Sequence, residues 1–120
     1  MILVDTSVWI DHLRRGNARL VDALEAEAVL CHPFVIGELA CGSLKQRAEF
    51  LDLLNQLPQA QQASHAEAKT VIDARRLFGR GLGFTDVHLL ASAMLDGATL
   101  FTLDQRLAHA ARAVGVAAQA

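Results

Sequence analysis

Residues 1–10 of the chain read Met1-Ile2-Leu3-Val4-Asp5-Thr6-Ser7-Val8-Trp9-Ile10. Within this stretch, Ile2–Val4 is a wholly apolar run that stops at a carboxylate, which is typical of a strand buried on both faces of a parallel sheet. Thr6 and Ser7 can cap a helix, which the pattern predicts over residues 8–15 with Gly16 as its end. A buried strand followed at once by a helix indicates the first unit of an α/β fold.

The same alternation of apolar runs and helical stretches continues along the chain. Further strands are predicted over residues 28–31, 57–60, 98–102 and 116–118. Helices are predicted after Asn17 to residue 27, over 33–40, 43–56 and 65–78, from Thr85 or Asp86 to Gly97, and over 104–113. Strands that alternate with helices predict a doubly wound parallel sheet with right-handed crossovers.

Length and composition limit the class of protein. The 120 residues are 52% hydrophobic and 20% charged, which predicts one folded domain over residues 1–120 and excludes intrinsic disorder. The longest apolar stretch without a charged residue covers only residues 28–37, against the roughly 20 residues that a membrane span needs. No secretory signal is recognisable, and Cys31 and Cys41 cannot form a disulfide framework, so a cytoplasmic location is expected.

Four acidic residues are predicted to meet at one end of this sheet. Asp5 follows the first strand, and Asp104 comes two residues after the strand over 98–102. Asp86 opens the preceding helix, and Glu38 lies in the second turn of the helix after the second strand. Ligands of open α/β sheets bind outside the carboxyl ends of the strands. Because crowded carboxylates repel one another, a hard divalent cation such as Mg²⁺ or Mn²⁺ is expected between them.

Each acid also has a simpler explanation when it is considered alone. Asp5, Asp86 and Asp104 all stand where an N-cap of a helix is expected. Glu38 is harder to explain as a solvated residue, because its helix is largely apolar. The coincidence of four acids at one end of the sheet therefore favours the metal site over four separate caps.

Four segments of the chain resemble the PIN-domain family, specifically the VapC-type ribonuclease toxins of bacterial toxin–antitoxin pairs. The segments are Met1 to Ile10, Val35-Ile36-Gly37-Glu38-Leu39, Gly83-Phe84-Thr85-Asp86-Val87-His88-Leu89-Leu90-Ala91-Ser92-Ala93, and Leu103-Asp104. They occur in the family's order and spacing, and the resemblance extends over essentially the whole chain.

The resemblance implies a three-layer α/β/α fold with about five parallel strands in the order 3-2-1-4-5. It implies an endoribonuclease that requires Mg²⁺ or Mn²⁺, acts on RNA as a homodimer and is inhibited by a cognate antitoxin. Asp5, Glu38, Asp86 and Asp104 match the family's catalytic, metal-binding acids. Thr6 matches a hydroxyl that often supports the first Asp.

The net charge of −2 argues against a nucleic-acid partner if every acidic residue is counted, including those of the predicted metal pocket. Four of the 13 acids are assigned to the metal pocket, which leaves 9 acidic residues against 11 basic ones. Candidates for contacts with RNA phosphates are Arg80, Arg14, Arg15, Arg75 and Arg76. Arg80 ranks first because the glycine-rich loop over residues 79–83 directly precedes Asp86, although any one of these arginines can equally be an ordinary surface residue.

Three other functions remain as alternatives. A PIN fold that has lost catalysis would only bind RNA. A haloacid-dehalogenase-like phosphatase needs a second Asp where Ser7 stands, and a phospho-receiver domain needs a Lys after its last strand, whereas Lys45 and Lys69 are mid-chain. The five histidines are at least 20 positions apart, so no short zinc-binding motif is present.

Overall fold

Strands and helices alternate in the computed structural model of the chain, which describes residues 1–118. In chain order the elements are β1 (Ile2–Val4), α1 (Thr6–Arg15), α2 (Ala18–Glu25), β2 (Val29–Leu30), α3 (Pro33–Ala40), α4 (Arg47–Gln56), α5 (His65–Arg75), α6 (Phe84–Asp96), β3 (Thr99–Phe101) and α7 (Gln105–Ala113). The predicted α/β alternation is therefore confirmed. None of the helices within residues 1–118 is long and apolar enough to cross a lipid bilayer.

The sheet has three parallel strands in the order β2-β1-β3. Ile2 pairs with Val29 on one side and with Thr99 on the other, which places β1 at the centre. The central position explains why β1 is wholly apolar, because helices cover both faces of such a sheet.

The two outer strands predicted over residues 57–60 and 116–118 are reduced to single bridges. Gln59 pairs with Cys31 beyond β2, and Ala117 pairs with Leu100 beyond β3. The predicted order 3-2-1-4-5 is kept, but within residues 1–118 only three of the predicted five or so strands form as strands. Pro58, next to Gln59, has no N–H and so cannot donate a hydrogen bond to a neighbouring strand. Its carbonyl accepts from the Cys31 N–H at 2.9 Å.

Local capping signals account for most helix boundaries. Asn17 caps α2, and Ser64 and Glu67 form both bonds of a capping box at the start of α5, as predicted. Gly97 ends α6 in the left-handed conformation, and Asp104 caps α7. These boundaries were predictable because each signal lies within four residues of the helix end that it sets.

Several helix boundaries differ from the prediction. Helix α2 ends at Glu25 rather than residue 27, and α6 begins at Phe84 rather than at Thr85 or Asp86. Helix α1 begins at Thr6 rather than residue 8, because Asp5 is its cap. Helix α4 begins at Arg47 rather than residue 43, since Gln46 has a left-handed backbone with φ of 49°. Helix α5 ends at Arg75 rather than residue 78, because Arg76 has a φ of 52°. Left-handed backbone at a residue other than glycine ends a helix but leaves no clear sequence signal.

The core contains Trp9, the single tryptophan of the chain. Its side chain is 3% exposed on α1, and its ring meets the Phe50 ring edge to face with 6.0 Å between centroids. Leu3 and Val4 of β1 are completely buried in the same hydrophobic core. Burial of these side chains fixes α1 on the sheet and so fixes the β1–α1 junction, where Asp5 lies.

Candidate active site

Asp5 is the most buried of the four predicted site acids, with 7% of its surface exposed. Its backbone N–H donates to the Phe101 carbonyl at 2.9 Å, which joins the end of β1 to the end of β3. Oδ2 of its carboxylate accepts bonds from the Ser7 hydroxyl at 2.7 Å and the Thr102 hydroxyl at 2.8 Å. The carboxylate is therefore held in one orientation by two side-chain donors.

The same two hydroxyls connect Asp5 to the loop that carries Asp104. Ser7 Oγ accepts from the Leu103 N–H at 3.0 Å, and Thr102 Oγ1 accepts from the Asp104 N–H at 3.0 Å. Each hydroxyl thus donates to Asp5 and accepts from the β3–α7 loop. Neither residue is among the predicted site residues, although each stands two positions from a predicted acid.

Asp104 and Asp86 both lie at the start of a helix. Asp104 Oδ1 accepts from the backbone N–H groups of Arg106 at 2.9 Å and Leu107 at 3.2 Å. Asp86 is the third residue of α6 rather than its first, and its Oδ2 accepts from the Gly83 N–H at 2.9 Å. Asp5 and Asp104 are therefore the N-caps of α1 and α7, as considered from the sequence. Asp86 is not an N-cap: Gly83 holds that position in α6, and Asp86 bonds back to it from the third residue of the helix. Each of these contacts occupies a single carboxylate oxygen.

Glu38 approaches the site from α3 and is bonded to Thr6. The Thr6 hydroxyl donates to Glu38 Oε1 at 3.0 Å. The resemblance implied that Thr6 supports the first Asp, and the structure corrects this: Ser7 contacts Asp5. Successive residues of a helix point about 100° apart, so Thr6 and Ser7 at the start of α1 cannot both face Asp5.

The four carboxylates are close enough to influence one another's protonation. Partial desolvation raises the pKa of Glu38, and the charges of Asp5 and Asp86 raise it further, against the hydrogen bond from Thr6. Desolvation also raises the pKa of Asp86, with added repulsion from Asp5 and Asp104. These influences link all four acids into one cluster of negative charge.

Replacement of Thr6 by valine is expected to raise the pKa of Glu38 further, because the hydrogen bond that favours its charged form is lost. The measurement is a carbon-detected NMR titration of the Glu38 carboxyl in a chelating buffer. Thr70→Val is the matched control, since the Thr70 hydroxyl only donates to the Ala66 carbonyl on the exposed face of α5. A Glu38 pKa that is unchanged or lowered in Thr6→Val would contradict the assigned contact.

Within residues 1–118, each of the four carboxylates bonds to protein through one oxygen and keeps the other oxygen available. The available atoms are Oδ1 of Asp5, Oε2 of Glu38, Oδ1 of Asp86 and Oδ2 of Asp104. In the part of the chain that is described, no three acidic, histidine or cysteine side chains converge tightly enough to hold one ion as they stand. The donor set nevertheless fits Mg²⁺ or Mn²⁺, which take carboxylate oxygens, keep several waters and neutralise crowded negative charge.

The predicted RNA-contacting arginines are dispersed over the surface. Arg80 lines a groove of about 850 Å³ beside α7, here called the α7 groove, whose lining is Arg80, Gln105, Arg106, Ala108, His109 and Arg112. Arg14 lines a different groove of about 390 Å³ that also contains Glu38. Arg15 is paired with Asp11 at 2.6 Å, and Arg75 and Arg76 at the end of α5 line neither groove. The structure thus groups Arg80 with two arginines that were not predicted, Arg106 and Arg112.

Two histidines far apart in sequence also meet. Nδ1 of His65 lies 2.9 Å from Nε2 of His88, and the Phe34 and Phe84 rings pack edge to face on His88. The part of the chain that is described supplies no third ligand to this pair. The cluster therefore packs the start of α6 against α5 and α3.

Comparison with known proteins adds three findings. The PIN-domain family profile matches residues 2–113. Two curated proteins named Ribonuclease VapC32, from Mycobacterium tuberculosis strains CDC 1551/Oshkosh and H37Rv, are each 53% identical over 118 residues, which is 98% of this chain and 95% of the relative. The crystal structure of PAE2754 from Pyrobaculum aerophilum is similar with a TM-score of 0.64 at 19% identity, over 90% of this chain and 82% of that one, and supports the fold.

Proposed function

This chain belongs to the PIN-domain family, and from that premise we propose that it is a Mg²⁺- or Mn²⁺-dependent endoribonuclease toxin. The observation that carries the proposal is the set of four coupled carboxylates, each with one oxygen free, at the carboxyl ends of β1 and β3. We propose RNA as the substrate because the chain is similar, over nearly its full length, to proteins named as ribonucleases.

The proposed reaction is hydrolysis of an RNA phosphodiester by water. Asp5, Asp86 and Asp104 would hold the metal through their free oxygens, and Glu38 would hold it or orient the attacking water. When bound, Mg²⁺ or Mn²⁺ supplies an activated water and stabilises charge on the leaving oxygen. No side chain needs to act as a covalent nucleophile.

The contacts of the chain give each residue a defined part in this reaction. Ser7 and Thr102 fix Oδ2 of Asp5, so that Oδ1 keeps one direction. The raised pKa of Glu38 brings its carboxylate closer to the range in which a group can accept a proton from water. Thr6 limits this rise and orients Glu38 through Oε1, which leaves Oε2 for the water.

The partners are part of the proposal. A cognate antitoxin that blocks the site and a homodimeric assembly are both implied by the resemblance to VapC-type toxins. Such a toxin acts on RNA in the cytoplasm, where its antitoxin must also be present. Reconstitution with the antitoxin should abolish cleavage at equimolar ratio.

The decisive experiment is a cleavage assay with mapping of the RNA ends. Purified chain and single-stranded RNA are incubated in chelator, in Mg²⁺ and in Mn²⁺, and cleavage is expected only with metal. In cells that lack the antitoxin, brief induction of wild type should create new RNA ends that Asp5→Asn does not create. Equal cleavage in chelator and in metal, or identical ends with both proteins, would contradict the proposal.

Arg80→Ala is expected to weaken RNA binding and to flatten its dependence on salt. Loss of one phosphate contact lowers the slope of log K against log salt by about 0.7 to 1. Binding is measured in chelator, which prevents cleavage, by fluorescence anisotropy of a labelled RNA at several salt concentrations. Lys69→Ala on the exposed surface of α5 removes the same charge and serves as the control. If both variants give the wild-type slope, Arg80 does not contact RNA.

A further inference from the structure

We propose that the α7 groove binds the backbone of a single RNA strand and leads it to the four carboxylates. This inference rests on the proposed ribonuclease function and adds the route of the substrate. It assigns phosphate contacts to Arg106 and Arg112, and places His109 between them in the same groove. The chemical class of the ligand is a polyanionic phosphodiester chain.

The charge of the groove is the first argument. Its lining contains Arg80, Arg106 and Arg112 together with His109, and no acidic residue among residues 1–118 lines it. None of the three arginines forms an ion pair within residues 1–118. Arginines that share a groove without a counterion repel one another, so the groove favours an anion that contacts several of them at once.

The helix sets the spacing of these charges. Leu107, Ala110 and Ala111 are buried on the inner face of α7, which leaves Arg106 and Arg112 on the outer side. The two arginines are six residues apart, which corresponds to about 9 Å along the helix axis. One strand of a nucleic acid carries a phosphate every 3.4 Å or so of axial rise in a duplex, so this row is long enough for more than one phosphate.

The groove has two walls, α7 and the loop over residues 79–83, and a glycine allows them to come into contact. A Cβ atom on Gly81 would lie 3.1 Å from Nη1 and 3.2 Å from Cδ of Arg106. Gly81 also has a φ of +75°, which side chains rarely adopt. The Arg106 side chain therefore lies against the bare backbone of the 79–83 loop, and both walls present a guanidinium to the same space.

Both walls of the groove begin beside a site carboxylate. Asp104 caps α7 and accepts the N–H of Arg106, the first basic residue of the groove. On the other wall, Gly83 follows Arg80 by three residues and donates to Asp86. An RNA strand bound in the groove would consequently extend to the four carboxylates, where it would be cleaved.

The lining distinguishes RNA from a protein partner. Protein interfaces have an apolar centre enriched in aromatic residues and methionine. Among the described residues that line the α7 groove, Ala108 is the only one with an apolar side chain, and the others are charged or polar. Guanidinium groups match phosphate oxygens in geometry and charge, so a phosphate backbone fits this lining better than an acidic protein segment.

The test compares Arg106→Gln, Arg112→Gln and the double variant with Lys69→Gln, which removes a charge from α5. The probe is a fluorescein-labelled 20-nucleotide single-stranded RNA in chelator, at several salt concentrations. The double variant is expected to raise Kd roughly tenfold and to lower the salt slope by about 1.4, with half of that in each single variant. Lys69→Gln should match wild type, and equal melting temperatures verify that all variants fold.

Competition with polyglutamate of the same net charge tests the alternative partner. Weak competition by polyglutamate supports RNA as the ligand of the α7 groove. Displacement of RNA by polyglutamate at equal charge concentration would instead assign the groove to an acidic protein segment. In Mg²⁺ the double variant should raise KM for RNA with kcat little changed, since these arginines position the strand and do not touch the metal.

The outcomes separate the groove from the proposed function. If the double variant binds RNA as tightly as wild type, the groove does not bind RNA, even if wild type cleaves RNA. If the double variant loses binding and wild type cleaves no RNA in any metal, the groove binds RNA but the proposed ribonuclease activity is wrong.

Discussion

Asp5→Asn is expected to lower RNA cleavage about a thousandfold, the effect of losing several kcal/mol of transition-state stabilisation. The amide oxygen can take the place of Oδ2 and keep the bonds from Ser7 and Thr102. The NH₂ group then replaces Oδ1 and cannot bind a cation. The substitution should therefore remove the metal ligand and leave the fold in place.

The same reasoning applies to Glu38→Gln, Asp86→Asn and Asp104→Asn, each of which should also lower cleavage. Initial rates are measured in excess Mg²⁺ with RNA in excess over the chain. Asp73→Asn is the matched control, because Asp73 is exposed on α5 and should leave the rate unchanged. Wild-type rates in both Asp5→Asn and Asp86→Asn would show that the metal site is assigned wrongly.

Asp86→Asn is expected to raise the melting temperature by a few degrees in chelator, while it abolishes cleavage. Desolvation and the charges of Asp5 and Asp104 raise the pKa of Asp86. A carboxyl whose pKa is higher in the folded state destabilises the fold once the pH exceeds its ordinary value of 3.8. The amide is uncharged and can still accept the Gly83 N–H, so it removes the repulsion and keeps the cap.

Melting curves of both proteins in chelator and in excess Mg²⁺ measure this effect. Metal should stabilise wild type by mass action and Asp86→Asn much less. In chelator, wild type should lose stability as the pH rises from 3.8 through the raised pKa of Asp86, and the variant should lose less. A variant that melts below wild type, with an equal shift in Mg²⁺, would contradict a shared pocket of carboxylates.

Features set by neighbouring residues were predictable from the sequence. The capping box of Ser64 and Glu67 places the start of α5, and the apolar run of β1 indicates a buried central strand. Membership of the PIN-domain family also agrees with the four quoted motifs. In contrast, the left-handed backbone of Gln46 and Arg76 depends on how the loops pack, so the sequence does not predict the start of α4 or the end of α5.

The candidate site shows the same division. Asp5, Asp86 and Asp104 are recognisable because each follows a strand or stands at the start of a helix, and Glu38 is recognisable as an acid in a largely apolar helix. Their supporting hydroxyls, in contrast, depend on contacts between distant segments. Thr102 is 97 positions from the Asp5 carboxylate that it contacts. Likewise, Arg106 belongs to the α7 groove only because Gly81 of a different loop leaves space for it. No short-range pattern carries that information.

Burial of Trp9 gives the chain an optical probe of its own. The protein has one tryptophan and no tyrosine, so its intrinsic fluorescence comes from a single indole. That indole is buried against Phe50 and lies one helical turn after Asp5. Unfolding exposes it to water and shifts its emission to longer wavelength. Fluorescence of unlabelled protein at low concentration therefore reports whether the β1–α1 junction, which orients the first carboxylate, is intact.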